Sequence, residues 1–158
     1  TNKIICENLY GDIIFIKEDT NKEKVCEDYE IRIKKEEINN KITFDNYVIN
    51  FEIIENKNKA EFPKNSLIKL FDYDNIEKEI IIRHRRDGDK IIPLGMKGNK
   101  KLKDIFIDLK IPRENRNNIP ILCFDDKISW IIGYKTSQLF RITKDTKKIL
   151  KITIDRKE

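Results

Sequence analysis

Glu79-Ile80-Ile81-Ile82-Arg83 runs into His84-Arg85-Arg86-Asp87-Gly88-Asp89, and beyond it the apolar positions stop alternating and recur as Leu102, Ile105, Phe106 and Leu109. A β-branched run closed by an Asp-Gly pair reads as a strand entering a turn. Spacing of i, i+3, i+4, i+7 reads as an amphipathic helix, here over about 100–110. Pro112 fits the first turn of a second, short helix reaching Asn118. Residues 121–124 and 127–132 flank Asp125-Asp126 and predict a hairpin closing at Gly133, with Trp130 alternating with Ile128 and Ile132 as core. A last strand covers 149–154. Upstream, Ile4-Ile5 and 13–16 flank Tyr10-Gly11-Asp12, a hairpin signal. Tyr29, Ile31 and Ile33 alternate with charged residues, and Tyr47, Ile49, Phe51 and Ile53 share one face at period two. The fold class is therefore α+β: an antiparallel β-rich lobe, 1–77, packed with a smaller mixed lobe, 78–158, of hairpins and one or two short helices. The two lobes are two units or parts of one domain.

The chain has 158 residues, of which 39% are hydrophobic and 39% charged. That apolar content is enough to offset folding entropy and excludes disorder, while the length excludes a large multidomain enzyme for this polypeptide. No stretch approaches the ~18 apolar residues of a membrane span, and the opening residues lack the blocks of a signal peptide. Cys6, Cys26 and Cys123 form no CxxC and are odd in number, which argues against a disulfide scaffold or zinc site. They read as buried apolar residues of a cytoplasmic protein.

Charge is unevenly spread. Residues 1–77 carry 12 Lys+Arg against 17 Asp+Glu, and 78–158 carry 21 against 11, so a net of −5 is followed by +10. The basic half points to a polyanionic partner. The alternative is that the two signs meet across an internal interface.

The run Gly95-Met96-Lys97-Gly98-Asn99-Lys100-Lys101-Leu102-Lys103 sets two glycines and four lysines at the expected helix start, with Asn99 as a natural N-cap. Cations there oppose the helix dipole, which an external phosphate would reconcile. A solvated Lys-rich loop is the plainer reading. Strand alternation puts Arg83 and Arg85 on one face with Arg86 at the turn, a set suited either to phosphate or to pairing with Asp87, Asp89 or the acidic half. Lys103 and Lys110 fall on one helix flank, and Arg113 and Arg116 extend the series. Between 83 and 116 there are 11 basic and five acidic residues. Reaction chemistry is absent: His84 has no Cys or Ser at motif spacing, Asp87 and Asp89 are more simply a turn than a Mg²⁺ pair, and no phosphate-loop motif occurs. The expectation is no catalytic residue, no metal site and no cofactor.

Ile82-Arg83-His84-Arg85-Arg86-Asp87-Gly88-Asp89, then Pro93-Leu94-Gly95-Met96-Lys97-Gly98-Asn99-Lys100-Lys101-Leu102-Lys103-Asp104-Ile105-Phe106-Ile107-Asp108, then Lys110-Ile111-Pro112, Arg116 and Ile119-Pro120, resemble the C-terminal domain of bacterial tRNA(Ile)-lysidine synthase. The likeness runs on through Ile128-Ser129-Trp130-Ile131-Ile132-Gly133-Tyr134, so it is strong over 79–134. The first half is similar only in pattern. Asp87 departs from the Pro usual in the family, though Asp is also a good turn residue. The resemblance implies a fold similar to a domain of the phenylalanyl-tRNA synthetase β-subunit. It implies a parent ligase that uses ATP, with Mg²⁺, to join lysine to the wobble cytidine of an isoleucine tRNA with a CAU anticodon. The ATP site belongs to an N-terminal catalytic domain not contained in this sequence, and this part holds the tRNA body at its acceptor stem. Arg83, Arg85, Arg86, Lys97, Lys100, Lys101, Lys103, Lys110, Arg113 and Arg116 become the tRNA-facing candidates. The alternative role is an interdomain or homodimerisation module without RNA contact.

Overall fold

The structure is a computed structural model that describes residues 29–38, 41–57 and 61–157 in full, and residues 4–9 and 12–17 as backbone strands. Ile4–Leu9 (β1) and Asp12–Lys17 (β2) pair antiparallel with Leu9 opposite Asp12, as the hairpin signal predicts. Tyr10, Gly11, Cys26 and the side chain of Cys6 lie outside the described residues.

Two four-stranded antiparallel sheets follow. The first takes the order Lys127–Ile131 (β11), Ile121–Phe124 (β10), Glu79–Arg83 (β7), Glu30–Lys34 (β3). The second takes Lys41–Phe44 (β4), Tyr47–Glu55 (β5), Lys148–Arg156 (β12), Ile68–Asp72 (β6). Period two explains their stacking. Ile80, Ile82, Leu122, Phe124 and Trp130 of the first sheet meet Phe44, Ile49, Phe51, Phe71, Leu150 and Ile152 of the second in one core. Phe71 contacts Phe124 edge-on at 5.1 Å, and Trp130 is fully buried, as core packing requires.

Ile80–Ile82 of β7 and the whole of β10 run apolar without alternation because their other face is covered too. Ile81, Ile121 and Cys123 pack with Leu102, Ile105 and Phe106 of Leu102–Asp108 (α1), and with Ile91, Ile111 and Ile119, in a second cluster. The molecule is thus layered helix, sheet, sheet. The α+β class holds, and so does the apolar face of α1, but the helix starts at Leu102, two residues after the expected Lys100. Arg113–Arg116 (α2) follows directly after Pro112.

One alternation differs from expectation. A bulge in the β10–β11 pair sets Leu122 opposite Trp130 and Cys123 opposite Ile128, leaving Ser129 over. Ile128 therefore joins the helix-side cluster while Trp130 stays between the sheets. The Ser129 hydroxyl donates to the Leu122 carbonyl at 3.0 Å, which satisfies it in a fully buried position.

The charge step at 77/78 coincides with no break in these sheets. β3, from the acidic half, borders β7, and β12, from the basic half, lies between β5 and β6.

Candidate nucleic-acid interface

Lys90–Ile91 (β8) and Lys100–Lys101 (β9) pair antiparallel and enclose the segment 92–99 between them. The Gly-Lys run is consequently a turn and a strand, and Asn99 caps nothing. The N-cap position is Lys101, without a side-chain cap. Three amides of this run are occupied internally: Leu102 N–H donates to the Asp89 carbonyl at 2.9 Å, Met96 N–H to the Pro93 carbonyl at 2.9 Å, and Gly95 N–H to Gln138 Oε1 at 2.8 Å. The seven-residue helix thus begins with its Leu102 amide already tied to the Asp89 carbonyl.

The arginines divide. Arg83 is 8% exposed, and its guanidinium forms a fork to both Asp89 oxygens at 2.9 and 2.8 Å and to the His84 carbonyl. Hydrogen bonding to Asp89 raises its pKa further and outweighs the cost of burial. Its task is to fasten the end of β7 to the Arg86–Asp89 turn, and burial removes it from the RNA-facing set. The Asp89 carboxylate also accepts from the Arg86 amide at 2.8 Å, which supports the turn reading of the Asp pair. Arg86 reaches Glu30 at 2.8 Å, Arg32 reaches Glu79 at 2.7 Å and Lys151 reaches Glu52 at 3.1 Å, so ion pairs do join the acidic and basic halves. Hydrogen bonds from Arg32 and then Arg86 hold the Glu30 carboxyl below its usual range. Arg85 donates through Nε to Asn117 Oδ1 at 2.7 Å, Arg116 through Nε to the Ile111 carbonyl at 2.8 Å, and Lys100 pairs with Asp108. His84 lies just past the end of β7, partly exposed, with Nε2 2.6 Å from Asp45 Oδ2.

Lys97, Lys101, Lys103 and Arg113 are exposed and have no ion pair or side-chain hydrogen bond to any described residue. Lys110, also exposed, sits just past α1 with a φ of +55°. Sequence reasoning missed Lys90, which lies directly across from Lys101. Like charges facing each other across a ladder are unfavourable in the free protein and favour an external anion between them. The signal needed was the β8–β9 pairing, and two-residue strands leave no period to read.

Burial pushes the Cys123 thiol up to about 11, and the described residues hold no cluster of three His, Cys, Asp or Glu that could bind a metal. No helix among them is long and apolar enough to cross a membrane.

Residues 80–153 match the family model described as the TilS substrate C-terminal domain. The chain is 45% identical over 158 residues to the tRNA(Ile)-lysidine synthase of Clostridium acetobutylicum, covering 99% of this chain and 33% of that protein. It is 46% identical over 163 residues to that of Clostridium perfringens, covering 34% of it. It thus spans about a third of the length of these curated relatives. Among solved structures, the crystal structure of a TILS C-terminal domain superimposes with a TM-score of 0.66 at 25% identity, covering 82% of this chain and 99% of that one.

Proposed function

This chain belongs to the family of tRNA(Ile)-lysidine synthase C-terminal domains, and from that premise we propose that it is the part of such a synthase that grips the tRNA body. The parent enzyme, in this reading, is a cytoplasmic ligase. Its N-terminal domain uses ATP and Mg²⁺ to activate the wobble cytidine of an isoleucine tRNA with a CAU anticodon and attach lysine. The present residues contribute no reacting group. They hold the acceptor stem through its phosphates and keep the anticodon arm at the remote catalytic centre.

The observation that carries this reading is the contrast among cations. Arg83, Arg86 and Lys100 are engaged with carboxylates, whereas Lys90, Lys97, Lys101, Lys103 and Arg113 stand exposed without an internal partner among the described residues. Double-stranded RNA is recognised mainly through shape, phosphates and 2′-hydroxyls, which matches a lysine surface better than a set of rigid base readers. If about four of these side chains meet phosphates, tRNA affinity falls about 100-fold between 50 and 200 mM salt. Combining Lys90→Ala, Lys101→Ala and Lys103→Ala should weaken binding to every RNA duplex alike and flatten the salt slope by about 0.7–0.9 for each phosphate that is no longer neutralised. Unchanged affinity with an unchanged slope overturns the assignment.

A further inference from the structure

Beside the lysine-bearing strand β9 lies a cleft of about 580 Å³, within the range of small-ligand sites, about 300–1,000 Å³. All three layers contribute to it. Lys69 comes from β6, Leu94 and Met96 from the segment between β8 and β9, Lys100 from β9, and Tyr134 and Lys135 from the loop after β11. Leu94, Met96 and Tyr134 are 57%, 48% and 44% exposed, so three of the large apolar side chains that reach solvent share this one depression.

The exposure is built in. Met96 N–H donates to the Pro93 carbonyl, closing a turn with Gly95 at φ +83°, and Tyr134 N–H donates to the Ile131 carbonyl, closing another with Gly133 at φ +84°. Both glycines occupy the third turn position, where positive φ defines a type II turn. The two turns are fastened together: Leu94 N–H donates to the Thr136 carbonyl at 3.0 Å, Gly95 N–H to Gln138 Oε1, and Pro93 bridges Ser137. The rims are fixed relative to each other before any ligand arrives, so little ordering cost remains for binding.

We propose that this cleft receives the unpaired nucleotides at the end of the RNA helix held by the neighbouring lysines, with a base lying against Tyr134 and Met96 and its phosphates near Lys69 and Lys135. The inference rests on the RNA-binding reading above and deepens it. Charge selects the occupant. Lys69 and Lys135 have no ion-pair partner among the described residues, and Asp108, the carboxylate lining the cleft, is already paired with Lys100. An apolar peptide gains nothing from those two lysines, and a base-paired stem presents phosphates but no free base face. Unpaired nucleotides present both, and stacking on aromatic rings is tolerant of base identity. The cleft is also continuous with the proposed duplex surface, since Lys100 lines it while the adjacent Lys101 faces Lys90.

The test compares two RNA hairpins with the same stem, one blunt and one with a four-nucleotide 3′ overhang, and a free single-stranded hexanucleotide. The overhang should tighten wild-type binding about tenfold. Tyr134→Ala should abolish that gain and leave blunt-hairpin affinity unchanged, while Tyr134→Phe should retain it. The Lys90→Ala, Lys101→Ala, Lys103→Ala combination should weaken both hairpins. Blunt binding with no gain from the overhang, or an equal loss on both hairpins in Tyr134→Ala, overturns the cleft assignment and leaves the duplex reading standing. Hexanucleotide binding sensitive to Tyr134→Ala, without blunt-hairpin binding, supports the cleft and removes the duplex reading. Self-association of the free protein that Tyr134→Ala abolishes, with no overhang gain, assigns the cleft to a second copy and overturns the proposal.

Discussion

Asp125 shows how much one side chain can organise. Its carboxylate accepts from the amides of Glu77, Lys78 and Glu79 at 3.1, 2.7 and 3.1 Å, while its own amide donates to the Glu79 carbonyl. Burial pushes this carboxyl up, but the three amide hydrogen bonds outweigh burial and hold it below its usual range. Because the folded pKa is depressed, the contribution is present above the unfolded value, about 3.9, and disappears as pH falls through the folded one. Asp125→Asn should cost about 1–3 kcal/mol in urea unfolding at pH 7, with the gap to wild type narrowing near pH 3. A gap independent of pH would refute the hydrogen-bond account. From sequence, Asp125 is a hairpin turn residue and no more, since the amides it gathers lie 46–48 positions away. Arg83 was opaque for the opposite reason. Local alternation sets its face, but only the layer packed on that face determines that the face is buried.

At the scale of elements, α1 ends in a Schellman arrangement. Lys110 N–H donates to the Ile107 carbonyl, Ile111 N–H to the Phe106 carbonyl, and Ile111 and Phe106 join the same buried cluster. The left-handed position is filled by Lys110, whereas such sites favour glycine because a Cβ there costs about 1–2 kcal/mol. Lys110→Gly should raise the melting temperature by about 2–4 °C for a protein of this size. Should Lys110 also contact phosphate, the same variant loses tRNA affinity while gaining stability, a divergence that purely structural residues do not show. A lower melting temperature would contradict the strain argument. The apolar spacing of Leu102, Ile105 and Phe106 made this helix legible, but its start was not. Asn99 has N-cap chemistry, and the short β8–β9 ladder wins because Leu102 N–H finds the Asp89 carbonyl.

For the whole molecule, the arithmetic of two oppositely charged halves gives way to interleaving. Separating 1–77 from 78–158 deprives β7 of β3 and strips β12 from both of its neighbours. Each half then exposes one side of the aromatic core. Neither half expressed alone should show a cooperative thermal transition by circular dichroism, whereas the 158-residue chain should. A cooperative melt from 78–158 alone would restore the two-lobe description.

The sequence by itself determined the strand-rich α+β class, the hairpins, the apolar face of α1, the core place of Trp130 and the family, because each is written in nearby residues or in a long ordered motif. Tertiary structure alone decided which cations are spent on internal carboxylates, that Lys90 faces Lys101, and that Lys69, Met96 and Tyr134 border one cleft. These depend on distances between residues remote along the chain. Periodicity reports which way a side chain points, and only packing reports what it meets.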